Sequence, residues 1–228
     1  MTKEKLIHGL IREGYLNRAH IKKAFEVVDR GLFVPDDFKL YAYENRPLPL
    51  LGGKAAISQP LVVAFMLELL DPREGEKILE IGTGSGWQTA LLSYCVCSSP
   101  YENQKDNEDS QRNISQGLCG MVISIERERD IKQYAEEHLK RFGIENGKNV
   151  VLLCRDGSRG YKKESPYDKI IAGASVAQVP QEWKTSLKVG GRMVFPSKQS
   201  IIMLEKTGKN SYMEKSYFGF SFQELLVD

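Results

Sequence analysis

The chain has 228 residues, 41% hydrophobic and 27% charged, enough for one substantial core and ordinary for a globular protein. Its 32 basic and 30 acidic side chains leave a net charge of +2, too even to point to a nucleic-acid partner. No apolar run reaches the roughly 18 residues of a membrane span, and the first residues lack a signal peptide's apolar stretch, so a cytoplasmic location without membrane contact is expected.

Leu6, Ile7, Leu10 and Ile11 recur at helical spacing over 3–13, and Ile21, Ala24, Phe25 and Val28 over 18–29, before Gly31 stops the second helix. Residues 1–57 are therefore expected to form an N-terminal helical subdomain that ends in a loop. That loop, 46–60, carries Pro47, Pro49, Gly52, Gly53 and Pro60. Ser58 stands just before the apolar helix that begins near Val62, with Pro60 in its first turn, a good position for an N-cap. The same placement would aim a hydroxyl and free N–H groups at a carboxylate, and both readings are open.

Residues 58–228 read as an α/β core. Lys77-Ile78-Leu79-Glu80-Ile81 is a short apolar strand that turns at once into Gly82-Thr83-Gly84-Ser85-Gly86, and a helix follows over 87–96. A strand, a glycine-rich turn and a helix, in that order, form the nucleotide-binding corner of an open α/β sheet. The glycines let the backbone turn tightly and approach a ligand. Trp87 stands where a dinucleotide fingerprint would place its third glycine, which counts against a nicotinamide oxidoreductase.

Residues 98–116 have Ile114 as their single aliphatic residue and read as a flexible surface insertion. Cys97 and Cys119 bracket this segment and could be bridged. With no Cys-x-x-Cys pair among the four cysteines, however, reduced thiols are expected. Three histidines, at 8, 20 and 138, lack metal-ligand spacing, so no metal is expected.

The strand 121–126 again ends in a carboxylate. Glu126 lies 40 residues beyond Gly86, or 21 once the 19-residue insertion is set aside. That is close to the roughly 20 residues that separate a glycine loop from a ribose-binding acid. A helix is expected over 128–142, closed by Gly143. Strands follow at 149–154 and 167–173, a helix at 181–187, a Gly190-Gly191 turn, and strands at 192–195, 201–204 and 217–226. The alternation predicts a Rossmann-like, doubly wound, mostly parallel sheet.

Residues 79–90, Leu-Glu-Ile-Gly-Thr-Gly-Ser-Gly-Trp-Gln-Thr-Ala, resemble the first motif of the protein-L-isoaspartate O-methyltransferases. Ala56-Ile57-Ser58-Gln59-Pro60 is similar to that family's Thr-Ile-Ser-x-Pro element. Ser124-Ile125-Glu126-Arg127, Asp156-Gly157, Ser165-Pro166-Tyr167-Asp168 and Gly190-Gly191-Arg192 with Pro196 fall in the family's order. The resemblance runs from about Leu6 to the end of the chain. It implies S-adenosyl-L-methionine as methyl donor and isoaspartyl-containing proteins and peptides as acceptors; a monomer is expected. It places Glu126 on the ribose hydroxyls, Asp156 on the adenine amino group, and Gly82 and Gly84 against the methionine part. Glu80 would fix the loop or meet the ammonium, and Arg127 and Gly157 would complete the cofactor side. Ala56, Ile57 and Ser58 would form the acceptor site, with Ser58 as the catalytic serine.

The departures lie on the acceptor side. Ala55 and Ala56 replace a glutamine and a threonine, and Lys54 adds a cation that either attracts a carboxylate or, as is expected, is simply solvated. Phe222-Gln223-Glu224-Leu225 stands where the family has Phe-Val-Pro-Leu. They leave open a methyltransferase for aspartyl residues of a particular peptide, or a descendant that binds the donor without transferring its methyl. An RNA methyltransferase is the other alternative, although Ala172-Gly173-Ala174-Ser175 replaces the Asn/Asp-Pro-Pro-aromatic motif that amino-group methylation often uses.

Overall fold

The computed structural model describes residues 1–97, 119–222 and 224–225; the insertion predicted at 98–116 lies outside the described residues. Helices α1 (Lys3–Arg12) and α2 (Ala19–Val27) bury Leu6, Ile7 and Leu10, and Ile21, Ala24 and Phe25, the stripes their spacing predicts. Strands β1 (Leu48–Leu50) and β2 (Ala55–Ile57) precede α3 (Pro60–Leu70). Next come β3 (Lys77–Ile81), α4 (Trp87–Val96), β4 (Met121–Glu126), α5 (Arg129–Arg141), β5 (Val150–Cys154) and β6 (Tyr167–Ala172). The short α6 (Gln181–Ser186) leads into β7 (Leu187–Ser197), β8 (Ser200–Lys206) and β9 (Tyr212–Phe218).

Seven strands form one sheet in the order β5-β4-β3-β6-β7-β8-β9. The strands from β5 to β7 are parallel, and β8 and β9 add two antiparallel pairings at one edge. Period-two alternation divides the sheet's side chains between two cores. Ile78, Val122, Ile171 and Val194 join the buried faces of α1 to α5, whereas Leu79, Ile123, Ile170 and Met193 pack with Trp183 of α6. Among the described residues the helices are thus shared unequally: α1 to α5 cover one face and α6, with its neighbouring turns, covers the other. After β5 the chain returns to the far side of β3, so β3 has β4 on one flank and β6 on the other. Such a reversal opens a crevice at the carboxyl ends of the central strands.

Several local expectations change. The 46–60 loop contains a hairpin pairing Leu48 with Ile57 and Leu50 with Ala55, because Leu48, Leu50 and Ile57 are buried while Pro49 and Ala56 face outward. Left-handed Leu51, Gly52 and Gly53 make its turn. Gly190 and Gly191 lie inside β7, where a register shift between Tyr167 and Lys169 absorbs them. Among the described residues the last strand is Tyr212–Phe218, an exposed edge strand with little apolar signal that meets the predicted 217–226 only at Tyr217 and Phe218; residues 223 and 226 lie outside the described residues. Cys97 and Cys119 are disulfide-bonded, not reduced: the end of α4 and the approach to β4 bring their Cα atoms to 4.6 Å, within bonding range. Cys95 and Cys154 are free thiols. No helix among the described residues is long and apolar enough to cross a membrane.

Candidate active site

A cavity of about 190 Å³ opens at the carboxyl ends of the central strands. One wall is made by residues that directly follow β3, β4, β5 and β6: Gly82 to Ser85, Arg127 and Glu128, Gly157, and Gly173 with Ala174. Gly82, Gly84 and Gly86 all take positive φ (88°, 54° and 85°), conformations that side chains with a Cβ rarely adopt. Main-chain bonds lock the loop to its neighbours, with Gly82 N donating to Ile125 O at 2.8 Å and Gly173 N to Ile81 O at 2.8 Å. A Cβ at Gly157 would sit 2.5 Å from Ile81 Cγ2, so only glycine brings the chain this close to β3.

Glu126, at the tip of β4, is 9% exposed and lines the cavity. Its Oε2 accepts from Gly84 N at 3.0 Å, and its Oε1 accepts from Arg127 N and Glu128 N at 2.8 and 3.2 Å. One carboxylate thereby ties the glycine loop to the next strand's end and keeps lone pairs for a ligand's hydroxyls.

Glu80 is elsewhere. It is fully buried beneath the loop and does not line the cavity, a placement suited to fixing the loop, the first of its two expected roles. Its carboxylate accepts from Gln88 Nε2 at 3.0 Å, Thr89 Oγ1 at 2.5 Å and Ser124 Oγ at 2.7 Å, fastening α4 and β4 under the loop. Burial pushes its pKa up from 4.5 to about 7, against those three donors, which lower it. Asp156 also stays off the wall. It caps the turn Gly157–Arg159, accepting from Ser158 N at 2.9 Å and Ser158 Oγ at 2.7 Å, and so sets the course of Gly157.

The opposite wall is the β1–β2 hairpin with Ser58: Lys54, Ala55, Ala56, Ile57 and Ser58 all line the cavity, joined by Glu224 and Leu225 from the chain's far end. The N-cap of α3 is Gln59, with no side-chain cap bond, because Pro60 occupies the first helical position. Ser58 is therefore not the cap, and its hydroxyl is left for the cavity. Asn45 does the capping work from outside, its Oδ1 accepting from Leu61 N at 3.0 Å and its carbonyl from Gln59 Nε2 at 3.0 Å. Lys54 pairs with Asp130 in the first turn of α5, 2.5 Å away, instead of being merely solvated. That pair spans the two walls. Leu225 N donates to Ser175 O at 2.7 Å, which brings Glu224 to the rim.

A family model described as Protein-L-isoaspartate(D-aspartate) O-methyltransferase matches residues 1–224. Over 194 residues the chain is 40% identical to a protein-L-isoaspartate O-methyltransferase of Ignicoccus hospitalis, covering 85% of this chain and 81% of the relative. One from Pyrococcus abyssi is 33% identical over 228 residues, covering 98% and 94%. The chain belongs to the protein-L-isoaspartate O-methyltransferase family. A solved protein-L-isoaspartate O-methyltransferase superposes with a TM-score of 0.75 at 30% identity, over 98% of this chain and 67% of that one. A Plasmodium falciparum protein crystallised with S-adenosyl-L-homocysteine gives 0.79 at 19% identity over 99% of each chain, and shares the fold.

Within this family member the residues present suit the family's cofactor. Glu126 offers acceptor atoms for vicinal hydroxyls, the glycine loop offers bare backbone, and Ile81, Ile125 and Ile131 supply apolar wall for a flat base. The cavity brings together Ala56, Ile57, Ser58, Gly82, Gly84, Glu126, Arg127 and Gly157 of the predicted site, and leaves out Glu80 and Asp156. Sequence reasoning misses Arg30, Asn45, Gly173 and Ala174. Arg30, only 2% exposed, holds Ser58 from behind, its Nη2 donating to Ser58 O at 3.2 Å. No spacing rule marks such a residue, because its acceptors are main-chain carbonyls.

Proposed function

We propose that this chain transfers the methyl group of S-adenosyl-L-methionine to the free α-carboxylate of L-isoaspartyl residues in damaged proteins and peptides, as a carboxyl methyltransferase of protein repair. The observation that carries this reading is a single cavity with Glu126 and the glycine loop on one wall and Ser58 on the other. Family membership narrows the acceptor.

In this reading Glu126 holds the ribose hydroxyls, and Gly82, Gly84, Arg127 and Gly157 shape the rest of the donor site. Glu80 acts from beneath the loop, and Asp156 acts through the turn it caps. When bound, S-adenosyl-L-methionine supplies an electrophilic sulfonium methyl. The acceptor carboxylate is already ionised near neutral pH, so the chain has no proton to remove. Its task is positioning. Ser58 donates a hydrogen bond to the acceptor carboxylate, and Ala56 and Ile57 border it. Transfer would discharge both the acceptor carboxylate and the donor's positive charge, so walls that exclude water would favour it. The neighbouring backbone amide nitrogen of the peptide then attacks the methyl ester's carbonyl and expels methanol, and water opens the resulting succinimide, returning part of the material to a normal aspartyl linkage.

Labelled methyl donor with matched isoaspartyl and aspartyl peptides tests this. Base-labile label is expected in the isoaspartyl peptide alone. Preference for normal aspartate would move the chain to the aspartyl alternative, and salt-sensitive labelling of RNA would replace the reading altogether.

A further inference from the structure

Arg30 sits in a short turn, Arg30–Phe33, between the N-terminal helices and the hairpin. Its guanidinium is almost wholly buried, and four carbonyls surround it: Ala42 O at 2.5 Å, Arg46 O and Ser58 O at 3.2 Å, and Glu44 O at 3.5 Å. It also lies over the ring of Trp87, 5.2 Å from the centroid, and Trp87 is the first residue of α4 after the glycine loop. One side chain thus touches the segment before the hairpin, the serine after it and the helix behind the donor loop.

This arrangement is costly for the fold. A buried charge is normally paired. Arg30 has no salt-bridge partner among the described residues, and the charged group that acts on it is another cation, Arg46. Arg30 Nε and Trp87 Nε1 are both buried without a hydrogen-bond partner among the described residues. Burial brings the guanidinium's pKa down to about 10, so it stays protonated at neutral pH. A cation held by carbonyls and a ring, with no carboxylate partner among the described residues, therefore lies directly behind Ser58, which lines the cavity.

We propose that Arg30 is a positioning residue for the methyl acceptor: it fixes Ser58 through the serine's own carbonyl and makes that wall of the cavity favourable to an anion. The inference rests on the functional reading above, because it takes the acceptor to be a carboxylate. The opposite charge missing from Arg30's surroundings arrives with the substrate. Arg30 acts without touching it.

Full-length Arg30→Lys and Arg30→Met test this, with peptide KM and kcat, calorimetric affinity for S-adenosyl-L-homocysteine, and thermal melting. The wild type is measured first, and whichever peptide carboxylate it methylates serves as acceptor, so failure of the functional reading is seen before any variant is compared. Arg30→Lys keeps the charge but loses the planar fork. It should raise peptide KM about tenfold, or 1.4 kcal/mol, and leave S-adenosyl-L-homocysteine affinity within about twofold. Arg30→Met, which also loses the charge, should raise KM further. In a Ser58→Ala background, Arg30→Lys should add less than about twofold, since the two residues act as a unit. Unchanged KM in Arg30→Lys, or additive effects with Ser58→Ala, would overturn the proposal. So would parallel loss of S-adenosyl-L-homocysteine binding in both variants, which would assign Arg30 to the fold alone.

Discussion

On the donor wall, Gly82 to Ser85, Arg127, Gly157 and Gly173 each follow directly from a strand of one parallel sheet, and strand register decides where they meet. On the acceptor wall, Lys54 to Ser58 and Glu224 come from opposite ends of the chain, outside the seven-stranded sheet. Strand pairing holds the hairpin and a main-chain bond from Leu225 N to Ser175 O holds Glu224, and side-chain ties are added to these: Arg30 to Ser58, Asn45 to the start of α3, and Lys54 to Asp130. The donor wall is built of backbone, which changes little when a side chain is substituted. The acceptor wall can be retuned one side chain at a time, as suits a site that must admit a carboxylate in many peptide contexts.

The contrast breaks most sharply at Glu126, the one donor-wall side chain that carries several loop contacts. Glu126→Ala would free the amides of Gly84, Arg127 and Glu128 and, in the proposed reading, remove the acceptor for the ribose hydroxyls. Losing charge-assisted bonds of this kind should weaken S-adenosyl-L-homocysteine binding about 100-fold, measured by calorimetry. Affinity within threefold of wild type would mean that backbone alone holds the nucleoside.

Glu80 probes the same wall from below through pH. Its folded pKa, about 7, lies above the ordinary 4.5, so the folded state binds this proton more tightly than the unfolded chain does. The stability it lends is whole below pH 4.5 and is lost as pH rises through 7. Glu80→Gln cannot ionise. Between pH 4.5 and 8 the stability difference between variant and wild type should move toward the variant, by on the order of 3 kcal/mol. Urea unfolding at both pH values reads it, and a flat difference would show that the three donors hold the carboxylate ionised at no cost.

Ser58→Ala moves to the acceptor wall. Because Gln59 is the cap, removing the hydroxyl should leave the melting temperature unchanged and lower kcat/KM about tenfold, the worth of one hydrogen bond to a charged group. A fall in melting temperature without a fall in rate would return Ser58 to a structural role.

The same division decides how much the sequence reveals. The β3–glycine–α4 corner and Glu126 are legible because each signal is local: an apolar run, glycines at short intervals, and an acid at a fixed distance once the insertion is set aside. Ser58 is legible only as a position, since cap and acceptor ligand call for the same residue, and Pro60 decides between them by moving the cap to Gln59. The β1–β2 hairpin hides behind Pro49, Gly52 and Gly53, which mark a loop unless the burial of Leu48 and Leu50 is known. Strand β9 hides because an exposed edge has little apolar pattern to show. Arg30 is the hardest to see. A charged residue in a turn reads as surface, and its interactions with carbonyls leave no trace in side-chain pattern.

Lys54 is where the acceptor wall departs from the family's usual glycine-rich turn, and where the smallest effect is expected. Its ion pair with Asp130 bridges the walls at 2.5 Å, but the two side chains are 61% and 44% exposed. Exposed pairs of this kind are screened by water and salt and contribute little. Lys54→Ala should leave the melting temperature within replicate scatter and change peptide KM less than about twofold at 0.15 M salt. Lys54→Glu sharpens the point by placing a second anion beside Asp130 and close to Glu128 at the cavity rim. Repulsion of an incoming carboxylate should then raise KM at low salt and fade as salt is added. A salt-independent rise would mean that Lys54 contacts the acceptor directly, and the acceptor wall would have to be redrawn around it.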